Sequence, residues 1–176
     1  MAHPLFARLD RQLELVRAEL ANVREADRRF RALRRLDAAG GTAKGLYHEW
    51  SHNASLADGV SAVYTGIESV LEAIAKELDE YVPRGDASHA DLVDGMAVEV
   101  HGVRPALLGA RTLELMHEVR RFRHVVRHKY ALNLRRADVA KNLRLAATLV
   151  PAFARDYRGF AKRMLGTEPS PRRRRR

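Results

Sequence analysis

Apolar side chains recur at intervals of three and four along almost the whole chain, a spacing that places them on one stripe of an α-helix and nowhere useful on a strand. Leu9, Leu13, Val16, Leu20, Val23 and Phe30 follow this step, with Asp27 filling the one gap, and predict a long helix over about 4–37 that ends at Ala39, Gly40 and Gly41. A second, over about 43–81, sets Leu56, Val60, Val63, Ile67, Val70, Leu71, Ile74, Leu78 and Tyr81 on one stripe. Gly59 and Gly66 lie one heptad apart within it; each costs up to ~1 kcal/mol against alanine, so close approach of another helix is their expected purpose.

Pro83, Arg84, Gly85 and Asp86 mark the clearest loop. A short helix over about 89–98 follows, with Asp86 and His89 as candidate caps. Gly102 breaks the chain before Pro105, a residue suited to a first helical turn, and the fourth helix is predicted over about 105–130 with Leu108, Leu115, Val119, Phe122 and Val126 inward. The last, from about Arg136 to Leu165, buries Val139, Leu143, Ala146, Val150, Phe153, Tyr157, Phe160 and Met164, and Pro151 is expected to bend it. Four long helices and one short one predict an all-α antiparallel helical bundle as one domain over residues 1–165. Residues 166–176, with Pro169, Pro171 and the run Arg172 to Arg176, read as a disordered Arg-rich tail.

The 176 residues suffice for one core without metal or disulfide support. Cysteine is absent, which excludes disulfides, thiolate catalysis and Cys-based metal centres. Arg8, Asp10 and Arg11 interrupt the first residues before an apolar run can form, and no stretch approaches the ~18 uncharged residues of a membrane span, so a soluble, cytoplasmic protein is expected. Net charge is +10, and +5 once the five terminal arginines are subtracted. Such a surface favours an anionic partner, nucleic acid being the commonest, although net charge speaks to association and not to activity.

The chemistry concentrates in Arg120 to Tyr130, at the end of the fourth predicted helix. Eight of these eleven positions are Arg, His, Lys or Tyr, and no acid appears between Glu118 and Asp138. A solvated helix face ordinarily mixes signs to limit self-repulsion. Cutting RNA without a metal requires removal of a proton from the ribose 2′-hydroxyl, delivery of one to the leaving 5′-oxygen, and stabilisation of the charge on the phosphorane between. Histidine suits the proton steps because its ordinary pKa lies near neutrality. Arginine suits the charge, because its planar fork binds phosphate through paired hydrogen bonds and stays protonated. At ~100° per residue Arg123 and Tyr130 nearly share a face, while His128 lies ~140° from Arg123. Their convergence needs the reach of a long side chain, distortion at the helix end, or a second subunit.

Arg123, His128 and Tyr130 together resemble the RX4HXY motif of HepT-like toxins, a branch of the HEPN superfamily. The words Tyr64-Thr65-Gly66-Ile67-Glu68-Ser69, Pro83 to Leu92, Arg104-Pro105 and Phe122-Arg123-His124 are similar to the same branch, so the likeness spans roughly 45–165. The resemblance implies the toxin of a type VII-like toxin–antitoxin system: a metal-independent endoribonuclease, without cofactor, acting as a homodimer whose two motifs line a shared cleft. It also implies a nucleotidyltransferase antitoxin of MntA type that transfers AMP from ATP to the motif tyrosine. Carried over by position, Arg123 stabilises the phosphorane, His128 is general acid or base, and Tyr130 is the AMPylated residue, with His124 and Arg127 in support. His124 stands where some members carry asparagine, which leaves the division of labour between two histidines open. Tyr64 and Glu68, one turn apart, either line the cleft, fix the motif's orientation, or simply pack.

Four competing readings have physical content. His124 and His128 have a metal-compatible spacing, but neighbouring arginines would repel a cation, and no metal site is expected. His48-Glu49-Trp50-Ser51-His52 matches the His-Glu-x-x-His spacing of zinc proteases, yet lies near a predicted helix start in a basic bundle with no further ligand set, and reads as surface or RNA-facing. Among whole functions, a phosphotransfer histidine domain would need an acidic partner surface, which this basic stretch disfavours. A non-catalytic HEPN bundle that binds RNA or a protein partner retains every feature except turnover.

Overall fold

In the computed structural model, which describes residues 4–36, 43–128 and 134–166, five helices follow one another: α1 (Pro4–Leu36), α2 (Ala43–Leu78), α3 (Ser88–Gly95), α4 (Ala110–His128) and α5 (Arg136–Met164). The expected all-helical bundle is present. No strand occurs among the described residues, where the only β feature is an isolated bridge between Val100 and Arg104. The predicted Arg-rich tail beyond its first residue, Gly166, and the motif residue Tyr130 lie outside the described residues. None of the described helices is long and apolar enough to cross a membrane.

Helix α2 is the centre of the assembly and packs against each of the other four. The apolar stripes meet in one core that includes Leu9, Val16 and Val23 of α1, Val60, Ile67 and Ile74 of α2, Leu115 and Val119 of α4, and Ala146, Phe153 and Phe160 of α5. Burial of these stripes, rather than helix propensity, supplies most of the stability of such helices. Helices α1 and α2 run antiparallel, because Val23 faces Gly59 and Val16 faces Gly66. A Cβ at Gly59 would lie 2.4 Å from Val23 Cγ2, and one at Gly66 would lie 2.5 Å from Val16 Cγ2. The heptad-spaced glycines are therefore where the two backbones come closest.

Two predicted boundaries are corrected. Tyr81 leaves the α2 stripe and is 66% exposed. Glu80 takes a left-handed φ of 54°, and the Tyr81 N–H returns to the Ala75 carbonyl at 3.3 Å, a helix-terminating arrangement that turns the chain outward after Leu78. The fourth helix starts at Ala110 and not near Pro105, because the preceding backbone has other partners. The Leu107 and Leu108 N–H groups both donate to the Met96 carbonyl, at 2.9 and 3.0 Å. Arg104 is buried and anchors the turn: Nε and Nη2 donate to the two carboxylate oxygens of Asp79 at 2.7 and 2.8 Å, and Nη1 donates to the Val98 carbonyl at 3.0 Å. Asp156 of α5 then receives the Gly109 N–H at 3.0 Å and the Thr112 hydroxyl at 2.5 Å, capping α4 from outside. Pro151 sits on the exposed side of α5, which continues through it.

Candidate active site

Helix α4 presents its inner face, Leu115, Val119 and Phe122, to the core. Arg123 follows Phe122 on the edge of that face, so its side chain is directed at α2 rather than at solvent. Its Nε donates to Thr65 Oγ1 at 3.1 Å, Nη2 faces Glu68 Oε2 at 3.5 Å, and the guanidinium carbon lies 5.6 Å from the centre of the Tyr64 ring. Tyr64 and Glu68, the sequence-derived cleft candidates, are thus both gathered around Arg123. Burial first, and then the negative charge of Glu68, push the Tyr64 hydroxyl far above its usual range, so it stays protonated. Arg120, one turn before Arg123, has a buried Nε with no hydrogen-bond partner among the described residues, and its charge acts on the Tyr64 hydroxyl.

Glu68 is 3% exposed. A buried carboxylate is costly unless paired. Here one oxygen faces Arg123 and the other receives a hydrogen bond from Nδ1 of His89, at 2.7 Å. The expectation that Asp86 and His89 cap α3 is corrected: Ala87 holds the N-cap position, no side chain bonds there, and the His89 imidazole reaches across to α2. Sequence reasoning missed this role because no local spacing relates His89 to Glu68, 21 residues earlier. Only the family-like stretch Pro83 to Leu92 drew attention to the segment.

His124 and His128 lie on the exposed side of α4 and stack, with ring centroids 4.1 Å apart. Nδ1 of His128 is 2.9 Å from the His124 carbonyl oxygen. A carbonyl can only accept, so Nδ1 carries the hydrogen, and in the neutral ring Nε2 is left with its lone pair. Arg127 is exposed beside them. Within one chain the motif therefore divides into two groups: Arg123 joins Tyr64, Thr65, Glu68 and His89, while His124 and His128 form a separate outward pair. No hydrogen bond or ion pair joins Arg123 to His128 among the described residues.

The His-Glu-x-x-His stretch is dispersed by packing. Arg136 donates to Glu49 at 2.8 Å and Arg34 at 3.0 Å; the bond from Arg136 is the larger influence holding the Glu49 carboxyl below its usual range. His52 turns inward and stacks on Phe30 at 3.8 Å, with Asp27 Oδ1 at 3.6 Å from Nε2. The reading of this stretch as surface or RNA-facing is therefore corrected for His52, whose burial lowers its pKa against the opposing pull of Asp27. His48 remains exposed. Among the described residues, no group of three or more His, Asp or Glu is placed to hold a metal ion.

A family model described as HepT-like protein matches residues 55–164, which contain α3, α4, all of α5 and the whole cluster around Glu68 and Arg123. No curated protein matches the chain, and no solved structure does.

Proposed function

The chain belongs to the HepT-like family, and from that membership we propose that it is the toxin of a toxin–antitoxin pair, an endoribonuclease that cleaves RNA without a metal. The observation that carries this reading is the end of α4, where an anchored guanidinium and two stacked, exposed imidazoles sit in the acid-free stretch between Glu118 and Asp138. RNA is drawn to this end by its positive charge. Arg123 holds the developing negative charge on the phosphorane through hydrogen bonds that need no proton bookkeeping. His128, with Nδ1 committed to the His124 carbonyl, uses Nε2 to move a proton to or from the reacting ribose phosphate. His124 and Arg127 supply the stacking surface and the further positive charge beside it.

A homodimer completes the site. Because Arg123 and His128 face different ways in one chain, the second copy of α4 brings its imidazole pair toward the first copy's Arg123 across the shared cleft. The neighbouring antitoxin is a nucleotidyltransferase, and Tyr130, two residues beyond His128, is the residue it AMPylates. The rival reading is a non-catalytic RNA- or partner-binding HEPN bundle, and it draws on the ion pair with Glu68, which already offsets the charge of Arg123. It retains RNA binding without turnover.

The deciding measurement is cleavage of a labelled RNA by purified protein in excess chelator. The wild-type chain is expected to cut, and Arg123→Ala and His128→Ala are each expected to lose at least ~10²-fold in rate with unchanged helical circular dichroism. A wild-type chain that binds RNA and leaves it intact would select the rival, as would two variants that cut normally.

A further inference from the structure

We propose that His89 is a proton-transfer residue of the same cleft, held in place by Glu68, so that the catalytic histidines number at least two and come from different elements; the proposal rests on the ribonuclease reading above. The distances carry it. His89 Nδ1 lies 2.7 Å from Glu68 Oε1, and Arg123 Nη2 lies 3.5 Å from Glu68 Oε2. One buried carboxylate thereby ties an imidazole and a guanidinium to the same spot, although they come from α3 and α4.

The carboxylate only accepts, so the His89 hydrogen sits on Nδ1 and Nε2, on the other edge of the ring, is the free nitrogen. The His89 side chain is 43% exposed, whereas Glu68 is 3% exposed. A solvent-facing imidazole backed by a buried carboxylate has its tautomer and orientation set, which is what a general base needs. Arg123 commits Nε to Thr65 and Nη2 to Glu68, while Nη1 makes no hydrogen bond among the described residues and is the nitrogen assigned here to a phosphate oxygen. A phosphodiester held there lies beside His89.

The step balances with the groups named. His89 Nε2 takes the proton of the ribose 2′-hydroxyl, and the 2′-oxygen forms its bond to phosphorus. Arg123 holds the phosphorane charge. The bond from phosphorus to the 5′-oxygen breaks, and the leaving oxygen takes a proton from the imidazolium of His128. The products are a 2′,3′-cyclic phosphate and a 5′-hydroxyl, and the two imidazoles exchange their protons with water to reset.

The test is chemical rescue. In excess chelator, His89→Ala is expected to cut RNA at least ~10²-fold more slowly than wild type, and added imidazole is expected to restore part of that loss, because the side chain it replaces is open to solvent. His89→Gln can keep the bond to Glu68 but cannot carry the proton, and is expected to stay slow with or without imidazole. Either variant cutting within about twofold of wild type, or His89→Ala being slow but indifferent to imidazole, overturns the proposal and leaves the ribonuclease reading intact. A wild-type chain that cuts no RNA overturns both.

Discussion

At the scale of single residues, the arrangement around Glu68 explains how a strongly basic segment tolerates an arginine turned inward. Arg123 is 11% exposed, and an unpaired guanidinium there would be costly; Glu68, Thr65 and the face of Tyr64 share that cost. The modification proposed for Tyr130 works by a different means. In that proposal an AMP group two residues beyond His128 in the sequence adds bulk and negative charge, so it repels RNA as well as blocking it. Incubation with the cognate nucleotidyltransferase and ATP is expected to raise the intact mass by one or more AMP units, and Tyr130→Phe is expected to remove at least one of them. Full retention of the increase in Tyr130→Phe would move the modification to another side chain.

At the scale of elements, the seam between α1 and α2 sets how the central helix presents Thr65 and Glu68. Gly66 stands between those two residues, and the closeness of Val16 leaves no room for a Cβ. Gly66→Ala gains up to ~1 kcal/mol of helix propensity but must displace Val16, and overpacking of this kind costs about 1–3 kcal/mol. The net effect expected is destabilisation, seen as a lower urea midpoint. Adding Val16→Ala should recover part of the loss, so that the double variant falls short of the sum of its parts by more than ~0.5 kcal/mol. A midpoint raised by Gly66→Ala alone would mean that the helices can separate at no cost. The α2 to α4 connection adds a second fixed point, because Arg104 ties Asp79 at the end of α2 to the carbonyls of Gly95 and Val98. That link keeps α3, and with it His89, against Glu68.

At the scale of the whole molecule, the two halves of the motif diverge within a chain, and the proposed dimer brings them together. Subunit mixing separates a shared site from one contained in each chain. If Arg123 of one copy works with His128 of the other, heterodimers of Arg123→Ala and His128→Ala chains contain one complete site, and random mixing restores about a quarter of wild-type cleavage. If each site belongs to one chain, every site in the mixture lacks a residue and activity stays at the level of the separate variants. In the proposed ribonuclease the net charge of +10 acts at this scale too, favouring association with RNA without choosing where it is cut.

The five helices were legible from the chain alone because their cause is local: a repeat of three and four residues can face a core only as a helix, and Leu9 to Val23 or Val139 to Phe160 carry that repeat whatever surrounds them. The acid-free run after Glu118 was equally plain, as was the close approach at Gly59 and Gly66. The true start of α4 was not, because the N–H groups of Leu107 and Leu108 are taken by Met96, and Asp156 of α5 supplies the cap. Nor could spacing reveal that Arg123 turns toward Glu68, that His89 shares the same carboxylate, or that His52 turns inward to stack on Phe30. Those pairings join residues 21 to 55 positions apart. They exist only where packed helices bring distant side chains within hydrogen-bonding or stacking distance, which a periodic pattern along one helix does not encode.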